Sequence, residues 1–323
     1  MTKKLVLCKP NGFCAGVDRA IQIVDLALQT YGKPIYVNHE IVHNHHVVND
    51  LAAKGAIFVD DLEEVPEGER LIYSAHGVGP SVREAASSRQ LIELDATCPL
   101  VTKVHNEAIR FARQGYHVFL IGHADHVEVI GTYGHAPDHI TIVEPLRGEA
   151  LAEHIRDLPQ PPTDKLIYLT QTTLNADDCI KVAESLKTRF PTLKPPPTDD
   201  ICYATTNRQN AVKAIAADMD FFVVVGANIS SNSKRLVEVA EESGCPARLF
   251  QDVNGLREHD LTGVKSIGLT AGASTPGLLI HEIIGYLNAL GYTLETYDHV
   301  PENLAFNLPY NLRQDMQEKG IEV

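Results

Sequence analysis

The chain has 323 residues, of which 44% are hydrophobic and 22% are charged; this composition is typical of a folded globular protein and excludes disorder as the main state. Its formal net charge of −14 gives no overall field that attracts a polyanion, so we expect no nucleic-acid partner. The longest apolar run, Phe221 to Ala227, is far shorter than the ~20 residues that span a bilayer, so we also expect no membrane partner. Lys9 and Pro10 end the first apolar stretch before it reaches signal-peptide length, and we predict a cytoplasmic protein.

Short β-branched runs alternate with amphipathic helical patterns along the chain, and this order is typical of α/β folds with parallel sheets. The predicted strands are 71–75, 91–94, 117–122, 140–143, 165–170, 221–227 and 265–271. The predicted helices are 17–30, 101–113, 176–190, 211–218, 233–243 and 278–290. Four of them are followed by a glycine, which is a common signal for the end of a helix: Gly32, Gly115, Gly244 and Gly291.

A comparison of the chain with itself shows the same order of features in each third. A cysteine precedes a helix, a polar loop follows a strand, and a strand ends in small hydroxyl or glycine residues. The pattern predicts three small pseudo-symmetric α/β units around a centre, since ligand groups gather beyond the carboxyl ends of parallel strands. We place the units at 1–97, 98–198 and 199–290, with a C-terminal tail at 291–323.

The repeated cysteines are Cys14, Cys98 and Cys202. A single cysteine is most often an ordinary buried residue, but three at equivalent helix N-termini are suited to binding metal as thiolates. Three thiolates would leave one iron of a four-iron cluster without a protein sulfur, and that iron could bind substrate. Cys8, Cys179 and Cys245 lie outside the repeat, and we interpret them as structural.

The segment from His39 to His43 matches the HExxH pattern of zinc peptidases. That pattern works on a helix, where histidines four residues apart share a face. A strand-like run, Ile35 to Val37, precedes it and argues against a helix. A zinc-dependent hydrolase that uses His39, Glu40 and His43 stays the alternative function.

Several loop residues could bind an anion or move a proton. Each also has an ordinary interpretation, as a core histidine, a solvated acid or a helix cap. The candidate anion-binding residues are His43, His76, His126, Thr172, Ser230, Ser231, Asn232 and Ser274. Glu128 lies beside His126, and a desolvated carboxyl group can donate a proton. No phosphate loop or complete dinucleotide fingerprint is found.

A close resemblance to a known family rests on nine motifs that occur in a fixed order. They are GFCAGVDRAI, HEIVHN, SAHGV, DATCPLVTKVH, GHADHVEV, TQTTL, DDICYATTNRQ, SSNS and TAGAS. The chain resembles the 4-hydroxy-3-methylbut-2-enyl diphosphate reductase family, the iron-sulfur enzymes that end the methylerythritol phosphate route to isoprenoids. The resemblance extends from about Asn11 to Phe306. It implies a trefoil of three α/β units that encloses an iron-sulfur cluster.

The resemblance also implies roles for individual residues. Cys14, Cys98 and Cys202 would hold one 4Fe-4S cluster, and its unique iron would take the substrate hydroxyl. Thr172 would lie near that hydroxyl, and Glu128 would relay the proton that lets it leave as water. The remaining candidates would bind the diphosphate: His43, His76, His126, Ser230, Ser231, Asn232 and Ser274.

The reaction implied by the resemblance is reductive dehydroxylation to isopentenyl and dimethylallyl diphosphates. The two electrons would come from a ferredoxin or flavodoxin with its reductase. One departure from the family is Val127, where members carry proline between His126 and Glu128. A non-enzymatic alternative is an iron-sulfur sensor that binds a diphosphate without multiple turnover.

Overall fold

The computed structural model describes residues 3–321. Within them the chain forms twelve β-strands and twelve α-helices. The strands are β1 (Lys3–Lys9), β2 (Ile35–Asn38), β3 (Ala56–Val59), β4 (Arg70–Tyr73), β5 (Ile92–Asp95), β6 (His117–Ile121), β7 (Ile140–Val143), β8 (Leu166–Thr170), β9 (Phe221–Val225), β10 (Ala247–Phe250), β11 (Ser266–Ala271) and β12 (Tyr292–Asp298). The helices are α1 (Ala15–Tyr31), α2 (His45–Lys54), α3 (Pro80–Ser88), α4 (Pro99–Arg113), α5 (Val127–Gly134), α6 (Gly148–Asp157), α7 (Ala176–Arg189), α8 (Tyr203–Ile215), α9 (Ser231–Glu242), α10 (Val253–Arg257), α11 (Gly277–Ala289) and α12 (Tyr310–Glu318).

The strands form three sheets, and every strand pairing within the described residues is parallel. The five-stranded sheet has the order β10-β9-β11-β1-β12, the four-stranded sheet β3-β2-β4-β5, and the three-stranded sheet β7-β6-β8. The predicted α/β class with parallel sheets is therefore confirmed. Parallel strands require a crossover between them, and here helices supply most of these connections.

The side chains of β9 point alternately into two hydrophobic clusters, one on each face of the sheet. Phe221, Val223 and Val225 pack into a cluster with the apolar side of α11. Phe222 and Val224 point to the opposite face and pack against residues of α8 and α9. Because successive side chains of a strand alternate, a continuous apolar run indicates a strand covered on both faces.

All seven predicted strands and all six predicted helices form, with small shifts at their ends. The largest difference is at α8, which begins at Tyr203 and not at Ala211. Its first half is polar in sequence, yet Thr205, Arg208 and Gln209 are buried. Gly32, Gly115, Gly244 and Gly291 all have positive φ, as expected for glycines that end helices in the left-handed conformation.

Five strands lie outside the seven predicted ones: β1, β2, β3, β10 and β12, of which β2 contains the strand-like run Ile35 to Val37. Strand β12 is mostly exposed at the edge of its sheet, so it lacks the apolar alternation that identifies a buried strand. The tail also contains α12, whose Leu312 and Met316 are buried.

The chain divides into two compact units. Unit 1 comprises the described part of Met1–Asp18 together with Val42–Asn49 and Tyr203–Ala305, and it contains the five-stranded sheet. Unit 2 comprises Arg19–Ile41, Asp50–Cys202 and Phe306–Val323 as far as residue 321, and it contains the other two sheets. The predicted boundaries after residues 97, 198 and 290 stay a prediction, but β1 and β12 join the sheet of the third predicted segment.

Candidate functional site

Each of the three repeated cysteines lies directly before a helix, as the sequence predicts. Cys14 precedes α1, Cys98 is the N-cap of α4, and Cys202 precedes α8. The carbonyl groups of Cys14 and Cys98 accept the first helical hydrogen bonds from Asp18 and Thr102, respectively. All three residues are half-buried, whereas Cys8, Cys179 and Cys245 are buried in hydrophobic clusters. No cysteine of the chain forms a disulfide.

In unit 2, a buried carboxyl group and a threonine form a close pair. Glu128, in the first turn of α5, is 3% exposed. Its Oε1 accepts a hydrogen bond from the backbone N–H of Thr172 at 2.6 Å, and its Oε2 accepts one from the Thr172 hydroxyl at 2.9 Å. Thr172 also accepts, through its carbonyl oxygen, a hydrogen bond from the N–H of Cys202 at 3.0 Å. The two residues with predicted catalytic roles are thus in direct contact.

Burial dominates the electrostatics of this pair. It raises the pKa of Glu128 from 4.5 to about 7, although both hydrogen bonds from Thr172 act in the opposite direction. The nearby charge of Asp200 raises the pKa further. Glu128 can therefore carry a proton near neutral pH, as a general acid must.

The two candidate histidines of unit 2 lie near each other, with ring centroids 6.1 Å apart. His126 caps α5, because its Nδ1 accepts a hydrogen bond from the N–H of Glu128 at 3.2 Å. That bond requires an unprotonated Nδ1, so the neutral ring presents Nε2–H as its donor. The Nδ1 of His76 lies 3.2 Å from the hydroxyl of Ser74.

Two glycines allow α5 to pack on the loop that carries His76. Gly77 has a φ of +76°, and a Cβ atom there would lie 2.7 Å from Cε1 of His105. A Cβ atom on Gly131 of α5 would lie 3.3 Å from the Gly77 carbonyl oxygen. The close backbone approach places the loop of His76 beside the helix that His126 caps.

In unit 1, the candidate anion-binding residues gather at the carboxyl ends of β9 and β11. Ser230 caps α9 by accepting a hydrogen bond from the N–H of Ser233. The hydroxyl of Ser274 donates to the carbonyl of His43 at 3.1 Å, which joins two of the predicted loops. Ser231 is the first residue of α9, whose N-terminal N–H groups favour an anion.

Asn232 is the most informative residue of this group. It is 4% exposed, and neither Nδ2 nor Oδ1 has a hydrogen-bond partner among the described residues. Such a group costs free energy unless a ligand or water satisfies it. Gly272 makes room for this helix end, because a Cβ atom there would lie 2.0 Å from the Ser233 hydroxyl oxygen.

Sequence reasoning missed the residues that support Cys14. The Tyr203 hydroxyl accepts a hydrogen bond from the N–H of Ala15 at 3.3 Å. Arg208, which is fully buried, donates to the Gly12 carbonyl at 2.8 Å and pairs with Glu302. The motifs TTNRQ and ENLAF contain Arg208 and Glu302, but no local pattern shows that they meet.

The zinc alternative loses its structural basis. Residues 39–43 form bends and no helix, and His39 has a φ of +58°. His39 instead contacts Asp60 through Nδ1 at 2.7 Å. Within residues 3–321, no three or more His, Cys, Asp or Glu side chains are arranged to hold one metal ion. The ligands of an iron-sulfur cluster bind different irons and need not meet at one point.

Comparisons with known proteins give matches over nearly the whole chain. A family model described as LytB protein matches residues 5–288. A relative from Acidothermus cellulolyticus, named 4-hydroxy-3-methylbut-2-enyl diphosphate reductase, is 50% identical over 98% of this chain and 92% of its own length. A relative of the same name from Chlamydia trachomatis is 49% identical over 96% of this chain and 100% of its own length. The chain belongs to the 4-hydroxy-3-methylbut-2-enyl diphosphate reductase family.

Solved structures of this reductase family share the fold. The reductase of Plasmodium falciparum is 43% identical and matches with a TM-score of 0.93, covering 99% of this chain and 100% of that chain. A second structure, titled as the terminal enzyme of the non-mevalonate pathway, is 29% identical with a TM-score of 0.61, covering 89% of this chain and 99% of that chain. The resemblance read from the motifs is confirmed, and so is the prediction that the chain is an enzyme. No helix within residues 3–321 is long and apolar enough to cross a bilayer.

Proposed function

We propose that the protein reduces (E)-4-hydroxy-3-methylbut-2-enyl diphosphate to isopentenyl and dimethylallyl diphosphates. The C–O bond of the allylic alcohol breaks, two electrons and two protons are consumed, and the hydroxyl leaves as water. The observation that carries the proposal is the buried pair of Glu128 and Thr172. A carboxyl group that keeps its proton near pH 7 is suited to protonate a departing hydroxyl.

The diphosphate would bind to neutral donors and helix N-termini. We assign it to His43, His76, His126, Ser230, Ser231, Asn232 and Ser274. The unsatisfied amide of Asn232 supports this assignment, because diphosphate oxygens would complete its hydrogen bonds. The motifs HEIVHN, SAHGV, GHADHVEV, SSNS and TAGAS contain no Lys or Arg, so attraction would depend on oriented N–H and O–H donors.

One 4Fe-4S cluster would be held by Cys14, Cys98 and Cys202. Three reduced, half-buried thiols that begin helices fit such a group, because helix N-termini stabilise thiolates. When bound, the cluster would pass on the donor's electrons one at a time and offer an iron that lacks a protein ligand. Glu128 and Thr172 would orient the hydroxyl and deliver its proton.

The electrons would come from a ferredoxin or flavodoxin with its reductase. We place the protein in the cytoplasm, because six cysteines without a disulfide are typical of a reducing compartment.

The first test of this function is to measure iron, acid-labile sulfide and zinc per chain in protein purified without oxygen. We expect iron and sulfide near four each, the stoichiometry of a 4Fe-4S cluster, and turnover of the hydroxylated diphosphate with a reduced dye. Zinc without sulfide would contradict the cysteine assignment. Cluster and diphosphate binding without multiple turnover would instead indicate the sensor.

Cys98→Ser tests the ligand assignment itself. We expect this variant to lose most of its iron and sulfide. Cys245→Ser is the matched control, because the Cys245 thiol is buried and only donates to backbone carbonyls, as serine can. Full cluster content in Cys98→Ser would remove Cys98 from the ligands.

A further inference from the structure

A buried ion pair lies in unit 1 beside the loop that ends at Cys14. Arg208 of α8 is 0% exposed, and its Nη1 lies 3.1 and 3.2 Å from the two carboxylate oxygens of Glu302. Asn207 donates to the same carboxylate at 3.0 Å. A charge is rarely buried so completely unless it is paired.

The ion pair fixes the backbone on the N-terminal side of Cys14. Arg208 Nη2 donates to the carbonyl of Gly12 at 2.8 Å, and Gly12 has a φ of +68°. On the other side, the Tyr203 hydroxyl accepts from the N–H of Ala15. Two side chains of α8 therefore hold the residues that flank Cys14, while the N–H of Cys14 donates to Ala273 at 3.2 Å.

The same pair acts on the thiol electrostatically. Arg208 brings a positive charge and Glu302 a negative charge to the loop that ends at Cys14. The two side chains thus affect a negative charge at Cys14 in opposite directions. Removing Glu302 would leave the fully buried charge of Arg208 without its carboxylate partner.

We propose that Arg208 and Glu302 are positioning residues that hold the Cys14 loop and balance the charge beside its thiol. This inference rests on the proposed function, in which Cys14 is a cluster ligand. Adding an electron to a cluster increases its negative charge, so nearby positive charge favours reduction. Neutralising Glu302 exposes the charge of Arg208 and makes the cluster easier to reduce.

The experiment uses the cluster-loaded enzyme without oxygen and compares wild type with Glu302→Gln and Arg208→Lys. The midpoint potential is measured by a redox titration followed by absorbance and electron paramagnetic resonance, and cluster retention by the rate of iron loss to a chelator. The matched control is Glu295→Gln, which also removes one negative charge from unit 1, but at an exposed residue paired with Lys4.

We expect a higher midpoint potential in Glu302→Gln and no comparable shift in Glu295→Gln. Arg208→Lys keeps the positive charge but lacks the planar guanidinium that reaches Gly12 and Glu302 together. We therefore expect a smaller shift in midpoint potential than in Glu302→Gln, and iron loss severalfold faster than in wild type. An equal or lower potential in Glu302→Gln than in the control would overturn the inference. If Glu302→Gln does not fold, iron loss from Arg208→Lys at the wild-type rate would also overturn the inference.

A separate result tests the premise. Wild-type protein without iron and sulfide would reject the proposed function and, with it, a cluster role for the ion pair. The ion-pair inference alone would be rejected if the wild-type protein holds a full cluster and both variants match it in midpoint potential and in the rate of iron loss.

Discussion

At the scale of single residues, Glu128 combines burial with two short hydrogen bonds from one partner. The bonds from Thr172 favour the charged carboxylate, whereas burial favours the neutral acid and has the larger effect. The sequence shows only a glutamate after a histidine. Its protonation depends on the packing of α5 and on Thr172, which is 44 residues away in the chain.

Glu128→Gln should reduce turnover by roughly 10²–10⁴-fold, the usual contribution of a general acid, and should leave iron, sulfide and substrate binding intact. In the wild type, turnover should fall as the pH rises through about 7, because Glu128 then loses its proton. Steady-state kinetics at several pH values check both statements. Glu107→Gln is the control, because Glu107 is also buried in unit 2 but has no proposed role. Turnover at the wild-type rate in Glu128→Gln would refute the assignment of Glu128 as the proton donor.

The same carboxyl group makes stability depend on pH. The unfolded chain loses the Glu128 proton above 4.5, whereas the folded protein keeps it until about 7. The stabilisation from Glu128 is therefore complete below pH 4.5 and is lost as the pH rises to about 7. We expect the free energy of unfolding of wild type, relative to Glu128→Gln, to fall by on the order of 1.4 kcal/mol per pH unit in this window. Denaturant titrations of both proteins measure it, and a constant difference would contradict the predicted burial.

Among the elements, the start of α5 has a backbone that would accept proline at Val127. Val127 is the first residue of this helix, where the N–H has no intrahelical partner and proline is well tolerated. His126 has φ −78° and ψ 132°, a conformation that suits a residue before proline. The backbone therefore has the geometry that proline requires, although valine is present.

Val127→Pro should increase the free energy of unfolding by about 0.4–1 kcal/mol, because proline restricts the unfolded chain, and should leave turnover unchanged. Val129→Pro provides the contrast. The Val129 N–H donates to the His126 carbonyl at 2.9 Å, so this variant should lose about 0.5–1.5 kcal/mol from that hydrogen bond and more from the buried side chain that is removed. Thermal or denaturant unfolding distinguishes them, and a destabilised Val127→Pro would show that the helix start differs from this geometry.

The N-terminus of α9 depends on close packing against a glycine. In Gly272→Ala the new methyl group would meet the Ser233 hydroxyl oxygen at 2.0 Å. We expect a loss of about 1–3 kcal/mol of stability from overpacking and a higher KM, because Asn232 and Ser231 move with the helix end. Gly277→Ala is the control, since nothing lies within 4 Å of a Cβ atom there. An unchanged KM and stability in Gly272→Ala would exclude this packing role.

At the scale of the whole molecule, net charge and cofactor binding become relevant. A chain of net charge −14 does not attract a diphosphate through its overall field, so recognition must be local. A cofactor that binds the folded chain and not the unfolded one stabilises the fold by mass action.

Removing the cluster should therefore lower the melting temperature of wild type by several degrees. The same chelator treatment should leave the melting temperature of Cys98→Ser unchanged, because that variant starts without a full cluster. Calorimetry without oxygen measures both. Equal melting temperatures for loaded and unloaded wild type would argue against a cluster held by the folded chain.

Features that depend on neighbours along the chain could be predicted from the sequence alone. Apolar runs and helical periods identified seven strands and six helices, and glycines identified four helix ends. The positions of Cys14, Cys98 and Cys202 before helices were also readable, because a helix start is a local signal. The ordered motifs were specific enough to indicate the family.

The contacts between distant groups became visible only in the folded chain. Three contacts join residues that are from 44 to about 290 positions apart in the chain. They are the pairing of β1 with both β11 and β12, the contact of Glu128 with Thr172, and the ion pair of Arg208 with Glu302. Burial also changed the chemistry of these side chains, since desolvation moves a pKa and makes an unpaired polar group costly. Neither effect is encoded in a local pattern, because each depends on what the fold packs around the residue.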